Sequence, residues 1–402
     1  MRSQPISSEK PIELRQVSLM ASSDMAATSV PGASEQLSTR IAFFIAGFGM
    51  AAWAPLVPFA KARAGLDDGA LGLLLLCLGA GSIVAMPLSG ALAARFGCRR
   101  VIIAGSLMLC LALPLLATLS SFAALVPALL LFGAGVGLVD CVVNIQAVIV
   151  ERASGRTMMS GFHGLFSVGG IIGAGGVSLA MALGASPFVA ALLVVALVLV
   201  AITSAAPNLL SYGSSSGGPA FAVPHGIVLF IGVLCFIVFL TEGAVLDWSA
   251  VFLIQVRDID PTHAGLGYAA FAVTMTIGRL TGDWIVRHVG RGNIIIFGGL
   301  CAAAGLALAT LVPSWEAGLL GYALVGAGCS NVVPVLYSAI GRQNTMPEHI
   351  AIPAVTTLGY AGILAGPAAI GFVAHASSLT VAFLIIAALL VGVAASSRWL
   401  RL

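Results

Sequence analysis

The chain has 402 residues, of which 59% are hydrophobic and only 8% carry a charge. An ordinary soluble domain carries about 25% charged residues, so this composition excludes a typical water-soluble protein and favours one that is surrounded by lipid. The formal net charge of +3 is small and dispersed along the chain, which argues against nucleic-acid binding. The seven cysteines lie in or beside apolar runs without metal-ligand spacing, and we interpret them as small apolar side chains.

The N-terminal segment, residues 1–38, is polar and of mixed charge. No apolar core follows its early basic residues, as a cleavable signal peptide would require, and we predict a disordered cytoplasmic tail. Twelve apolar runs follow, each close to or above the ~20 residues that a bilayer-spanning helix needs. They lie at roughly 40–60, 69–94, 101–119, 122–150, 157–184, 187–206, 226–252, 262–286, 293–312, 316–341, 350–375 and 379–398.

The longest segment between predicted helices, residues 207–224, has a Ser/Gly-rich core and is predicted to be a flexible cytoplasmic linker. It separates an N-terminal six-helix bundle, 39–206, from a C-terminal one, 225–402. Shifting one half by 193 residues superimposes seven pairs of glycines, among them Gly97 with Gly290 and Gly169 with Gly362. The sequence therefore predicts an all-α integral membrane protein with twelve transmembrane helices in two six-helix halves that form a parallel repeat.

The basic residues predict the orientation of the chain in the membrane. An even number of spans places both termini on one side, and that side also holds ten arginines of the connecting segments and the C-terminal end. The opposite side has only Lys61, Arg63 and Arg257. Because positive charge marks the cytoplasmic face, both termini are predicted to be cytoplasmic.

Polar residues inside the spans are the candidates for function, since an ionisable group in a bilayer is costly and often marks a solute or ion pathway. Asp140 and Asn144 are four residues apart and share a helix face. Glu242 lies in the seventh span at about the same depth in the membrane as Asp140 in the fourth. His163 lies about two turns into the fifth span. Asp140, Glu242 and His163 are candidates for proton coupling, although each could instead be a hydrogen-bonded packing residue.

Other polar and aromatic side chains in the spans suit a sugar-like ligand, because aromatic rings stack on its apolar face and amides bind its hydroxyl groups. Each of them alone could equally be a packing residue. The candidates for lining a substrate cavity are Trp53, Asn144, Gln146, Ser167, Asn331, Tyr337, Thr357 and Tyr360.

The loop between the second and third predicted spans, residues 90–100, reads GALAARFGCRR. It resembles the signature loop of the major facilitator superfamily, Gly-x-Leu-Ala-Asp-Arg-x-Gly-Arg-Arg, but Ala94 stands where that family has an Asp that helps to latch the outward-facing state. In the second half, Arg287 stands at the equivalent position. The resemblance extends over residues 40–400 and implies a transporter. The candidates for gating are Gly90, Arg95, Gly97, Arg100 and the pair Arg279 and Asp283, which lie four apart on the eighth span and are predicted to form an ion pair.

Within that superfamily, residues 143–152, 163–169 and 242–248 resemble the bacterial YbjJ/MosC-type branch. Members of the MosC type are associated with rhizopine, an inositol-amine compound. The resemblance therefore implies a polyol or amino-sugar-like solute.

These observations lead to one main hypothesis, a secondary transporter of the bacterial inner membrane that moves a small polar solute by alternating access, coupled to protons. No phosphate-binding Gly-rich loop is present, so ATP does not drive it, and no cofactor or metal is expected. The alternatives are a proton-linked drug or metabolite efflux antiporter, an intramembrane enzyme, for which no HExxH or GxSxG motif is present, and a transporter-like sensor. The family resemblance implies a monomer. The sequence does not decide between uptake and export.

Overall fold

The computed structural model describes residues 31–213, 223–260 and 263–400. Most of the predicted tail, 1–38, and residues 214–222 of the predicted linker lie outside these ranges. Within them the chain is almost entirely helical and has no β-strand. Its helices are α1 Ala33–Ala51, α2 Val57–Ala64, α3 Asp68–Thr118, α4 Phe122–Ser154, α5 Met159–Ala182, α6 Pro187–Ala205, α7 Gly226–Arg257, α8 Leu266–Val289, α9 Arg291–Leu311, α10 Trp315–Cys329, α11 Val332–Ile340, α12 Glu348–Ala376 and α13 Leu379–Ser396.

Local capping explains where several helices begin. The Asp67 carboxylate accepts a hydrogen bond from the Ala70 N–H at 2.7 Å at the start of α3, which satisfies one of the free donors of the first turn. At the start of α1, the Glu35 carboxylate accepts from the Gly32 N–H, also at 2.7 Å. Because of this cap α1 begins at Ala33, so the helix extends six residues into the segment that was predicted to be tail.

Ten helices in the described part of the chain are long and apolar enough to cross a membrane. One of them, the 49-residue stretch Ala70–Thr118, would be about 74 Å long if it were straight, more than twice the ~30 Å of a hydrocarbon core. It is bent at Gly97 and therefore accounts for two crossings. α8 is not among the ten, but with 24 residues it is long enough to cross. Counted in this way the described helices agree with the predicted number of twelve, and the all-α membrane fold is confirmed.

The bend at Gly97 recurs in the second half. Gly97 has φ 82° and ψ 156°, and Gly290, which lies 193 residues later, has φ 87° and ψ 146°. Residues that have a Cβ rarely adopt this backbone conformation. Both glycines separate two consecutive spans, so the repeat predicted from the sequence corresponds to a repeated backbone turn.

The helices pack in equivalent pairs. α1 packs against α5, and α7 packs against α12. A Cβ at Gly169 of α5 would overlap the Phe44 carbonyl, and a Cβ at Gly362 of α12 would overlap the Phe236 carbonyl, so a small residue lets the helices approach closely in each pair. Between the halves, α5 contacts α8 and α3 contacts α12. These contacts surround the central space in which the polar residues of the spans meet.

The two bends provide a matched test of backbone strain. Replacing either glycine by Ala forces a Cβ into a conformation that costs on the order of 1–3 kcal/mol. A Cβ at Gly97 would also overlap the Ser211 carbonyl, whereas no atom lies within 4 Å of one at Gly290. We therefore expect Gly97→Ala to lower the midpoint of thermal unfolding of the purified protein more than Gly290→Ala does. Equal decreases in the two unfolding midpoints would show that the overlap with the Ser211 carbonyl adds nothing to the loss of stability.

Candidate functional site

A cavity of about 110 Å³ lies between the two halves, enclosed by α1, α4 and α5 on one side and by α7, α8, α11 and α12 on the other. Its polar lining is formed by Asp140, Asn144, His163, Glu242, Arg279, Tyr337, Thr356 and Tyr360. Its apolar lining is formed by Met50, Val136, Phe166, Phe239 and Ile363. Asp140, Glu242 and His163, the three residues predicted for proton coupling, all line this one cavity.

The cavity contains an ion pair between α7 and α8. Arg279 Nη2 lies 3.2 Å from Glu242 Oε1 and 3.5 Å from Oε2. The side chains are only 8% and 16% exposed, respectively. The remaining guanidinium nitrogens of Arg279 donate to Ser167 Oγ at 3.2 Å and to the Ser330 carbonyl at 3.4 Å. A buried charge needs such a complete set of partners, because it has lost its water.

This arrangement corrects the predicted ion pair between Arg279 and Asp283. Arg279 points into the cavity and pairs with Glu242, whereas Asp283 Oδ2 accepts a hydrogen bond from the Gly161 N–H at 3.1 Å. The spacing of four residues brings two side chains to one face of a helix, but here neighbouring helices provide each side chain with a different partner. Arg279 therefore belongs to the cavity, and the predicted gating pair with Asp283 is wrong.

Asp140 and Asn144 lie on the cavity side of α4. Asn144 Nδ2 donates to the Asp140 backbone carbonyl at 2.8 Å, and the Asn144 Oδ1 atom is buried without a partner among the described residues. The Asp140 carboxylate faces the cavity and forms no ion pair within the described part of the chain. His163 Nε2 is likewise buried without a hydrogen-bond partner there. Three polar groups are thus left available for a bound solute or water.

The opposite wall is formed by α11 and α12. Thr356 Oγ1 donates to the Ile352 carbonyl at 2.9 Å, so the Tyr337 hydroxyl, 2.7 Å away, donates to Thr356. The ring of Tyr337 lies 5.7 Å from that of His163, centroid to centroid. Tyr360 lines the cavity as predicted. Thr357 does not, because it lies one residue further along the helix and donates to the Pro353 carbonyl.

Two residues predicted for the cavity are buried elsewhere. Gln146 Nε2 donates to Thr39 Oγ1 at 2.9 Å, and its Oε1 accepts from the Leu210 N–H at 3.1 Å. It therefore joins α4 to α1 and to the segment after α6, and has no part in the cavity lining. Trp53 is 5% exposed and belongs to the hydrophobic core.

Ser167 binds Arg279 directly, whereas Asn331 lies beside Ser330, another partner of Arg279. Ser167 Oγ accepts from the guanidinium group. Asn331 lies at the interruption between α10 and α11, where its Nδ2 donates to the Gly278 carbonyl at 3.0 Å. The same interruption frees the Ser330 carbonyl that Arg279 binds, in line with the rule that non-helical backbone in a membrane must find new partners.

The comparisons with known proteins agree with this architecture. The sequence matches the Major Facilitator Superfamily over residues 40–343. The chain belongs to the Major Facilitator Superfamily. It is 58% identical to an uncharacterised MFS-type transporter of Yersinia pestis, over 92% of this chain and 96% of that one. It is 33% identical to the membrane protein MosC of Rhizobium meliloti, over 88% and 87% of the two chains, which confirms the predicted branch. Among solved structures, the fucose:proton symporter FucP of E. coli has a similar fold, with a TM-score of 0.73, 18% identity and coverage of 91% and 98%.

Because members of this superfamily are transporters, the chain is a multi-pass membrane transporter of small molecules and not an enzyme. The signature loop of the superfamily departs here at Ala94. Arg95 and Arg100 are exposed, and Arg95 lies over the Phe96 ring at 5.1 Å. Gly90 is required for close packing, since a Cβ there would overlap the His349 carbonyl of α12. In this loop the glycines therefore have clear structural roles, whereas the two arginines form no hydrogen bond or ion pair with the described part of the other half.

Contacts between the halves cluster at the end of the bundle that is predicted to be cytoplasmic. Arg152, at the end of α4, forms an ion pair with Glu348, at the start of α12. Thr157 Oγ1 donates to the Asp283 carbonyl at 3.2 Å. With the bond between Gly161 and Asp283, these contacts connect the α4–α5 turn to the second half. These contacts join the two halves at this end without the Asp that the superfamily has at the position of Ala94.

Thr356 and Thr357 provide a matched test of which face of α12 contacts the solute. Thr356→Val removes the acceptor of the Tyr337 hydroxyl and one polar group of the cavity, so we expect the KM for transport to rise roughly tenfold, the effect of about 1.4 kcal/mol. Thr357→Val removes only a bond to its own helix, and we expect the KM to stay unchanged. The measurement is initial uptake against solute concentration. An equal rise in both variants would contradict the assignment.

Proposed function

We propose that this protein is a secondary active transporter that moves a small polar organic solute, a polyol, sugar or amino-sugar-like compound, by alternating access and with proton coupling. One observation carries the proposal: an Asp140 carboxylate without an ion-pair partner in the described part of the chain faces a cavity that both halves build. An ionisable group at such a depth is costly, and it often marks a solute or ion pathway. The superfamily moves solutes at the interface of its two repeats, where this cavity lies.

The chemistry of the lining supports a hydroxylated solute. Asn144 Oδ1 and His163 Nε2 are buried polar atoms without partners among the described residues, and hydroxyl groups of a ligand would satisfy them. Tyr337 and Tyr360 offer ring faces for the apolar side of a sugar or cyclitol. The negative Asp140 would also pair with an amino group, which distinguishes an amino sugar from a neutral polyol.

Proton coupling requires a buried acid that can gain and lose a proton during the transport cycle. Glu242 is held in an ion pair with Arg279, so its protonation would break that pair. Asp140 has no such bond to break within the described residues. We therefore assign the proton to Asp140 and a positioning role to the pair of Glu242 and Arg279. FucP, which shares the fold, is a fucose:proton symporter, and this supports proton coupling in general.

The second candidate is a proton-linked drug or metabolite efflux antiporter. Met50, Phe166 and Phe239 form an apolar wall of the cavity. Together with the unpaired Asp140 carboxylate this wall would suit a lipophilic cation. The two candidates differ in whether hydroxyl groups or apolar surface provide the binding energy.

We further propose an inner-membrane location with both termini in the cytoplasm, because the basic residues lie at the end of the bundle with the signature loop. In this orientation the contacts of Arg152, Thr157 and Gly161 with the second half close the cytoplasmic side. The structure would then represent a state in which solute leaves or enters on the other side. A monomer contains the complete cavity, which supports a monomeric transporter.

The experiment is a binding screen of the purified protein by isothermal titration calorimetry, with polyols, sugars, amino sugars and lipophilic cations. The proposal predicts that a hydroxylated solute binds and that Asn144→Leu weakens it, while Thr357→Val, outside the cavity, does not. Binding of lipophilic cations alone, unaffected by Asn144→Leu, would favour the antiporter. Binding that no cavity variant alters would overturn the assignment of this site.

A further inference from the structure

A second cavity, also of about 110 Å³, lies at the end of the bundle that is predicted to be cytoplasmic. It is lined by the end of α4 and the turn that follows, from the first half, and by the start of α9 and the end of α11, from the second. Four arginines surround it: Arg152, Arg156, Arg291 and Arg342. So many guanidinium groups around one small space repel each other unless negative charge balances them.

The acids nearby are already engaged. Glu151, which also lines the cavity, accepts hydrogen bonds from the N–H groups of Met158 and Met159 at 2.8 Å each through one oxygen. This carboxylate thereby caps the start of α5. Glu348 forms its ion pair with Arg152.

The other three arginines are not bound by any carboxylate in the described part of the chain. Among the described residues Arg156, Arg291 and Arg342 form no ion pair. The Nε atom of Arg291 is buried without a hydrogen-bond partner. Buried polar atoms of this kind call for an explanation, and an unoccupied ligand position is one.

We propose that this second cavity binds a phosphate-bearing anion, either free phosphate or the headgroup of an anionic lipid. Planar guanidinium groups match the oxygens of phosphate with two parallel hydrogen bonds, and the Ser338 hydroxyl in the lining adds a neutral donor. The cavity has room for one phosphate group.

Such an anion would act on the conformation of the protein. Arg152 and Arg156 belong to the first half, and Arg291 and Arg342 to the second, so a phosphate between them bridges the halves at the closed end. Binding therefore favours the state in which this end is closed and opposes its opening. This consequence rests on the proposed alternating access, whereas binding itself does not.

The test uses the purified full-length protein, at constant ionic strength set with chloride, and measures the thermal unfolding midpoint. The probes are inorganic phosphate and, separately, vesicles of phosphatidylglycerol against vesicles of phosphatidylcholine. We expect a stabilisation that saturates with the anion. In Arg291→Gln and Arg342→Gln the apparent dissociation constant should rise roughly tenfold, the loss of one strong hydrogen-bonded contact. These variants relieve repulsion, so without anion they should be at least as stable as the parent.

Arg99→Gln is the matched control, because Arg99 is an exposed arginine near the same end that does not line the cavity, and it should bind as the parent does. Stabilisation by phosphate identifies a free anion as sufficient, and stabilisation by phosphatidylglycerol alone identifies a lipid headgroup. The proposal would be overturned if neither probe raised the unfolding midpoint. It would also be overturned if Arg99→Gln raised the apparent dissociation constant as much as Arg291→Gln and Arg342→Gln do. Because no transported solute enters the measurement, this outcome is independent of whether the proposed transport activity is correct.

Discussion

Glu242→Gln is expected to destabilise the protein strongly, by about 3–5 kcal/mol, because it leaves the Arg279 guanidinium buried without its counter-charge. Arg279→Gln should lower the free energy of unfolding by less than Glu242→Gln does. The carboxyl group of Glu242 that remains can take up a proton and become neutral, whereas the guanidinium group of Arg279 cannot lose one. The double variant Glu242→Gln, Arg279→Gln removes both charges and should recover part of the loss. The measurement is the thermal unfolding midpoint of all three variants in the same detergent.

The control for this cycle is Arg287→Gln, an exposed arginine two turns further along α8 whose Nε donates only to the Asp283 carbonyl. A change at such a surface position typically stays within about 0.5 kcal/mol. If the losses of stability in Glu242→Gln and Arg279→Gln simply add in the double variant, the two residues do not interact. The ion pair would then have no part in holding α7 against α8.

Asp140→Asn is expected to abolish solute accumulation driven by a pH gradient while it preserves exchange of solute across the membrane. Asn has nearly the same shape as Asp but cannot carry a proton. With one proton per solute, a gradient of one pH unit supports about tenfold accumulation, since one unit corresponds to 1.36 kcal/mol. The parent should approach this ratio in proteoliposomes, and the variant should stop at equal concentrations on both sides.

Asp247→Asn is the matched control for the coupling variant. Asp247 lies on α7 five residues after Glu242, is exposed, and does not line the cavity. The Asp247→Asn variant should accumulate solute as the parent protein does. If Asp140→Asn still accumulates solute and Glu242→Gln exchanges without accumulating, the proton is carried by Glu242 and the assignment to Asp140 is wrong.

The sequence was sufficient to predict the fold, because lipid imposes simple constraints on it. The length of an apolar run defines a membrane helix, and glycines spaced 193 residues apart mark the repeat. Gly97 and Gly290 both have a positive φ, a backbone conformation that few residues other than glycine adopt. The same reasoning located Asp140, Glu242 and His163, since charge inside a span is costly wherever it occurs.

The partners of these residues could not be predicted, because the rotation of each helix about its axis is determined by packing against helices distant in the sequence. Thr356 lines the cavity and its neighbour Thr357 does not, although no local pattern separates them. Gln146 was placed in the cavity, but the Thr39 hydroxyl and the Leu210 N–H bind it elsewhere. Arg279 did carry a signal: it lies well inside α8, where a buried charge needs a partner of opposite charge from another helix.

The most direct test of alternating access is to lock the contact between Arg152 and Glu348. Introducing Arg152→Cys and Glu348→Cys together allows a short thiol-reactive crosslinker to join α4 to α12 across the two halves, with each single variant as its control. We expect the crosslinked protein to bind solute but not to transport it in proteoliposomes, and cleavage of the crosslink to restore transport. Full transport by the crosslinked protein would contradict the account, because the closed end would then not need to open.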